Sequence, residues 1–237
     1  MNPTVMSVTA RALLGRRRLL LLLPMPILLL GLTILLLGFD VPNADWVPIL
    51  LGDLGMAVLL PLTALVIGSS VLGLEIEDGT ITHLLTKPLP RGEIVLSKLA
   101  VAWMVTSVAT AVPLAVAGAI AGSWQLAAGL FAGAVAGALV YSAVFLAFSV
   151  LTRRPVALGL IYIMLWENLL VRFADGAAYL SVQEYAGALT SAVAPGEFQP
   201  TAFPALAALI LAAALAVAAT WTASNRLSAF TLTGETT

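Results

Sequence analysis

Runs of apolar residues long enough to cross a lipid bilayer recur from Leu19 to Ala223, and nothing else in the chain restricts its fold so severely. Within a hydrocarbon layer about 30 Å thick there is no water for backbone N–H and C=O groups, so a crossing segment of about 20 residues must satisfy them internally, as an α-helix does. A membrane β-barrel would instead show short segments of alternating polarity. Here the runs are unbroken. Charged residues make up 10% of the 237 and hydrophobic ones 61%, against roughly a quarter charged in a soluble domain. Mean hydropathy is +1.05. The fold class is therefore all-α, a polytopic membrane protein.

The runs predict six transmembrane helices, over about 19–38, 47–74, 99–121, 125–151, 156–171 and 201–223, within a single transmembrane domain spanning 19–237. Residues 1–18 interleave Val5, Val8, Ala12 and Leu13 with Arg11 and Arg16, an amphipathic pattern suited to the inner membrane surface. The run after Arg16-Arg17-Arg18 is too long for a secretory signal and is followed by no clean cleavage site, so it reads as a retained first span, kinked or delayed by Pro24 and Pro26. Asp53, near the start of the second span, is assigned to the outer interface and given no role.

Charge sets the orientation. Of the 11 Lys and Arg residues, Arg11, Arg16, Arg17, Arg18, Lys87, Arg91, Lys98, Arg153, Arg154 and Arg226 fall on one face, and Arg172 alone falls on the other. Positive loops stay in the cytoplasm, so both termini and the polar segment 75–98 are expected there, in a cytoplasmic (inner) membrane. The loop 172–200 is then on the outer side, where Tyr179, Leu180, Val182 and Tyr185 suggest a short interfacial helix and Pro195-Gly196 a turn.

Several chemistries are excluded. The absence of Cys removes disulfides, thiol nucleophiles and thiolate metal sites. A net charge of −1 argues against binding nucleic acid. No phosphate-cradling G-x-x-x-x-G-K-[S/T] is present, and the single His83 has no H-E-x-x-H partner. The chain is not expected to be an enzyme, to hold a metal or to carry a cofactor.

Two features inside the spans stand out. Gly129, Gly133 and Gly137 lie four residues apart on one face of the fourth span, where missing side chains admit another helix, either from this chain or from a second copy. Glu167, next to Asn168 in the fifth span, is an ionisable group in an expensive place. It reads either as a substrate or proton contact or as a carboxylate paired with Arg172 or snorkelling near the outer end.

The cytoplasmic segment is the most informative stretch. Asp78-Gly79 forms a turn, Thr80 an N-cap, and Ile81, Leu84 and Leu85 the apolar face of a short helix that Pro88 and Pro90 stop before a second start at Arg91-Gly92-Glu93. The pattern Glu75-x-x-x-Gly79-Thr80-x-x-x-Leu84-Leu85-x-x-Pro88-x-x-Arg91-x-Glu93-Ile94, ending at Lys98, resembles the permease subunits of the second class of ABC exporters. The six-span plan, the amphipathic N-terminus and Trp166-Glu167-Asn168 extend that resemblance over nearly the whole chain.

The resemblance implies that 75–98 contains a coupling helix seated in a groove of a separate P-loop ATPase, with Gly79 to Leu85 as the contact. It also implies a homodimer, or a pairing with a similar subunit, beside two ATPases that bind ATP and magnesium. Two other functions remain open. A proton- or ion-coupled carrier would rely on Glu167, and a membrane scaffold would use the Gly129–Gly137 face.

Overall fold

The structure, a computed structural model, describes residues 6, 7, 9, 10, 13, 23–77, 91–173, 176–199, 201 and 203–229. Among them the regular elements are all helical. Helix α1, Pro24–Gly38, begins on two prolines at positions where a helix has no use for the missing N–H. Asp40 adopts a left-handed backbone, φ 52°, in the turn that follows. Helix α2 starts at Asn43–Val47, widens into a π-helical stretch at Pro48–Leu59 and continues as Leu60–Glu77. The second helix thus starts at Asn43, ahead of the expected 47, and the Asn43 side-chain amide donates to the Ala121 carbonyl at 2.8 Å.

Helix α3 runs Arg91–Ile120 and α4 runs Trp124–Leu151. Between them Gly122 takes φ 89°, which a side chain would resist, and Ser123 caps α4 by accepting from the Leu126 N–H. The fifth helix, α5, begins at Pro155–Ile161, unwinds into a π-helix at Tyr162–Leu170 and ends at Val171–Phe173. A 3-10 turn at Ala177–Leu180 leads into α6, Val182–Val193, and α7 spans Ala205–Ala229.

Among the described residues four helices are long and apolar enough to cross a membrane: Asn43–Leu72, Gly92–Ile120, Trp124–Leu151 and Ala205–Leu227. Pro24–Gly38 and Pro155–Leu170 are apolar but shorter. The third helix starts at Arg91, where the sequence marks a start at Arg91-Gly92-Glu93, eight residues ahead of the apolar stretch expected from 99. Lys98 is fully buried there, and its Nζ donates to the Val71 carbonyl of α2 at 2.9 Å. A buried ammonium needs such acceptors.

Helix α4 is the central column, packed against α2, α3, α5, α6 and α7. Its C-terminal half is filled by aromatic rings: Tyr141 stacks on Phe145 at 5.7 Å, and Tyr162 of α5 meets Phe145 and Phe148 edge-on. The described N-terminal residues are helical, and Leu13 is buried with Ile67, Val71, Val101 and Ala102. The apolar side of that segment therefore meets α2 and α3. Outward-facing positions such as Ile27, Ile34, Met164, Leu206 and Val217 are exposed and apolar, as a surface solvated by lipid tails requires.

Candidate functional site

The glycines of α4 are occupied by the chain itself. Helix α6 lies along them: a Cβ on Gly129 would come within 2.7 Å of the Thr190 carbonyl, one on Gly133 would collide with Thr190 Oγ1 and the Ala186 carbonyl, and one on Gly137 would sit 3.1 Å from the Ala186 Cβ. Higher residue numbers on α4 meet lower ones on α6, so the two helices run antiparallel. The sequence left open whether this face served a neighbour in the chain or a second copy. An intrachain helix fills it.

This arrangement corrects the expectation for residues 179–185. No surface-lying helix forms there. Tyr179 and Leu180 are exposed in the 3-10 turn, but Val182, Tyr185, Ala186, Ala188 and Thr190 are all buried as α6 packs within the bundle. The reason is steric, since the glycine face provides a groove and α6 presents Ala186, Thr190 and Ala194 to it. The Tyr185 hydroxyl donates to the Tyr179 carbonyl, closing the turn above.

At the N-terminal tip of α6 lies Glu167, 4% exposed. Its Oε1 accepts from Tyr162 Oη at 3.0 Å and from the Val182 N–H at 2.9 Å, while Oε2 accepts from Ser181 Oγ at 2.5 Å. Ser181 has two tasks, since its hydroxyl also accepts from the Glu184 N–H and so caps α6. A carboxylate at the N-terminus of a helix satisfies donors that have no intrahelical acceptor and opposes the positive end of the helix dipole.

The π-helical winding of α5 makes this site. In an α-helix, Tyr162 and Glu167, five residues apart, would be separated by about 140° around the axis. Bonding from i to i+5 instead stacks such residues on one face. The same winding turns Asn168 back on its own helix, where Nδ2 donates to the Ile163 carbonyl at 2.9 Å. Glu167 and Asn168 are therefore neighbours in sequence but not partners in a site.

Depth follows from connectivity. Glu167 interacts with Tyr141, which is 17 residues from the Trp124 end of α4 and 10 from its Leu151 end, or about 26 Å and 15 Å along the axis. That lies well within the bundle rather than at an outer rim. Arg172 is carried on the last turn of α5, with its side chain outside the described residues.

Of the residues assigned to ATPase coupling, Gly79, Thr80, Ile81, Leu84, Leu85 and Pro88 lie outside the described residues. Glu75 is carried on the last turns of α2 and Arg91 begins α3, so the segment hangs between two helix ends. Above, on the opposite face, a cavity of about 540 Å³ opens among Asn43, Pro48, Ser123, Glu197, Phe198 and Gln199. Its rim is tied by Gln199 Nε2, which donates to the Pro48 carbonyl at 3.2 Å.

Sequence reasoning missed Ser181 and Tyr162. The first had a signal: Ser181-x-x-Glu184 ahead of an apolar run is the pattern of a capped helix start. Tyr162 had none, because its partnership with Glu167 exists only in the π-helical register. Among the described residues no cluster of His, Asp or Glu could hold a metal ion. In comparisons with known proteins, a family model described as ABC-2 family transporter protein matches residues 6–226, and no curated protein matches.

Proposed function

The chain belongs to the ABC-2 family of transporter proteins, and from that membership we propose that it is the membrane-spanning subunit of an ATP-driven exporter whose nucleotide chemistry resides on a separate P-loop ATPase. In this reading ATP and magnesium are bound by the partner, and this chain contributes the substrate path. The family match over nearly the whole chain carries the proposal. It is supported by Lys98, which ties α2 to α3, the helices that flank residues 78–90 in the chain, through the Val71 carbonyl.

Pro24–Gly38 and Pro155–Phe173 serve as the first and fifth of six spans, with both termini at the cytoplasmic face of a cytoplasmic membrane. Gly79 to Leu85 form the coupling helix, and closure of the ATPases on ATP moves it and the attached α2 and α3. Two copies, or one copy and a similar subunit, complete the path. The exposed apolar flanks of α1, α5 and α7 supply surface for that pairing and for lipid.

The competing readings lose their support. Among the described residues every partner of Glu167 is one of the chain's own neutral donors, an arrangement suited to holding helices together rather than to cycling a cation. The glycine face that a scaffold would present is covered by α6. Leu84→Asp with Leu85→Asp tests the coupling helix: the variant should insert normally but fail to retain the ATPase in mild detergent. Stoichiometric retention would overturn the assignment.

A further inference from the structure

The cavity of about 540 Å³ lies at the end of the bundle opposite residues 78–90, and hydrogen bonds hold together the three chain segments that build it. Asn43, at the start of α2, reaches the Ala121 carbonyl just beyond α3 at 2.8 Å. Gln199, beyond α6, reaches the Pro48 carbonyl at 3.2 Å, and Ser191 of α6 donates to the Gln199 carbonyl at 2.8 Å. The Phe198 ring in its wall is seated between α2 and α6, where a Cβ on Gly52 would lie 3.7 Å from its Cζ and one on Gly187 4.0 Å from its Cε1. The space is therefore preformed, and its volume falls within the roughly 300–1,000 Å³ of small-molecule sites.

Its lining is rich in unspent acceptors. Asn43 and Gln199 each turn an N–H of the side-chain amide towards a backbone carbonyl, and among the described residues the amide oxygens have no partner. Glu197, exposed where it lines the cavity, adds a carboxylate, and no Lys or Arg is among the described lining residues. An anion would be repelled there. A neutral guest would leave the charge unmatched. An ammonium group carries three donors and no acceptor, which is the complement of these three oxygen-bearing side chains. Val47, Leu126 and Phe198 make the remaining wall apolar, and an aromatic ring beside a cation adds to its hold.

We propose that this cavity binds a primary ammonium ion carried on an apolar body, with Glu197, Asn43 and Gln199 receiving its N–H groups and Val47, Leu126 and Phe198 packing against the body. Two sources present that chemistry, a soluble amine and an ethanolamine lipid headgroup. The site lies within this chain and needs no ATPase to bind, so the proposal stands or falls separately from that partnership.

Dansylcadaverine, a primary amine whose fluorescence rises in apolar surroundings, tests it on the full chain in phosphatidylcholine nanodiscs, whose headgroups lack N–H donors, with the signal of empty nanodiscs subtracted. Binding should be saturable and should weaken about fivefold in Glu197→Gln. It should disappear in Ala44→Trp, which fills the cavity without removing a polar group. Both substituted positions are exposed, so neither variant disturbs the packing of the bundle. The N-acetylated probe, neutral but otherwise alike, should not saturate. Exchanging part of the lipid for phosphatidylethanolamine separates the sources: weaker probe binding marks the headgroup as the occupant, unchanged binding a soluble amine, and either result keeps the site. Absence of saturable binding, equal affinity in Glu197→Gln, equal binding of the acetylated probe or binding retained in Ala44→Trp would overturn the proposal.

Discussion

The two halves of α4 solve the same packing problem in opposite ways. From Gly129 to Gly137 the helix removes its side chains so that α6 can approach backbone to backbone, whereas from Tyr141 to Phe148 it fills the space with rings. In lipid there is little hydrophobic gain from bringing helices together, so both halves must depend on contact, one through proximity and the other through volume. The difference lies in what can be undone. A ring lattice shared among α4 and α5 must be dismantled piece by piece, while a smooth groove can release its occupant as a unit. A specific hold on that occupant is the polar end at Glu167.

The largest expected effect follows from refilling the groove. Gly133→Leu puts a branched side chain where Thr190 and the Ala186 carbonyl already sit, so α6 cannot dock. Amide hydrogen–deuterium exchange at Val182 should rise to the rate of an unprotected amide while the amides of α3 and α4 stay protected. Uniform loss of protection across the bundle would show instead that groove and ring lattice are one cooperative unit.

Phe145→Ala attacks the other half. Phe145 is fully buried between Tyr141, Phe148 and Tyr162. Its removal should cost less than the about 3–5 kcal/mol usual for a buried Phe in a soluble core, because transfer to lipid contributes little, but more than about 1 kcal/mol from lost contact. Unfolding by denaturant in micelles measures it. A loss below that floor would mean the rings are no better packed than lipid and would erase the contrast between the halves.

How much of this was legible beforehand depended on whether a feature needed one segment or two. Long apolar runs, breaks at Gly122 and Pro155, and the glycine spacing in α4 are properties of single segments and could be read directly. The start of α3 was legible too, in Arg91-Gly92-Glu93, but the burial of Lys98 was not, since it depends on the Val71 carbonyl of another helix. Helix α6 was half legible: Ser181 and Glu184 mark its start, but its descent into the bundle is decided by a groove on another helix. The Glu167 site was least legible, because it needs the π-helical turn of α5 to bring Tyr162 round, and hydropathy is blind to winding.

The smallest effect gives the sharpest comparison, because it lies within the groove itself. A Cβ on Gly137 would meet Leu60 Cδ2 at 2.8 Å and the Ala186 Cβ at 3.1 Å. The first is the free end of a flexible side chain that can rotate away. A Cβ on Gly133 meets a backbone carbonyl and a hydroxyl that donates at 2.9 Å to the Ala186 carbonyl, neither of which can yield without moving α6. In Gly137→Ala, the gain in helix propensity of up to about 1 kcal/mol opposes a similar overpacking cost, so exchange at Val182 should change by less than about threefold. Gly133→Ala carries the same propensity gain and should raise exchange by more than about tenfold. Equal responses would mean that α6 rests on the groove as a whole; unequal ones would locate its tightest point at Gly133, midway between the outer cavity and the carboxylate that holds its tip.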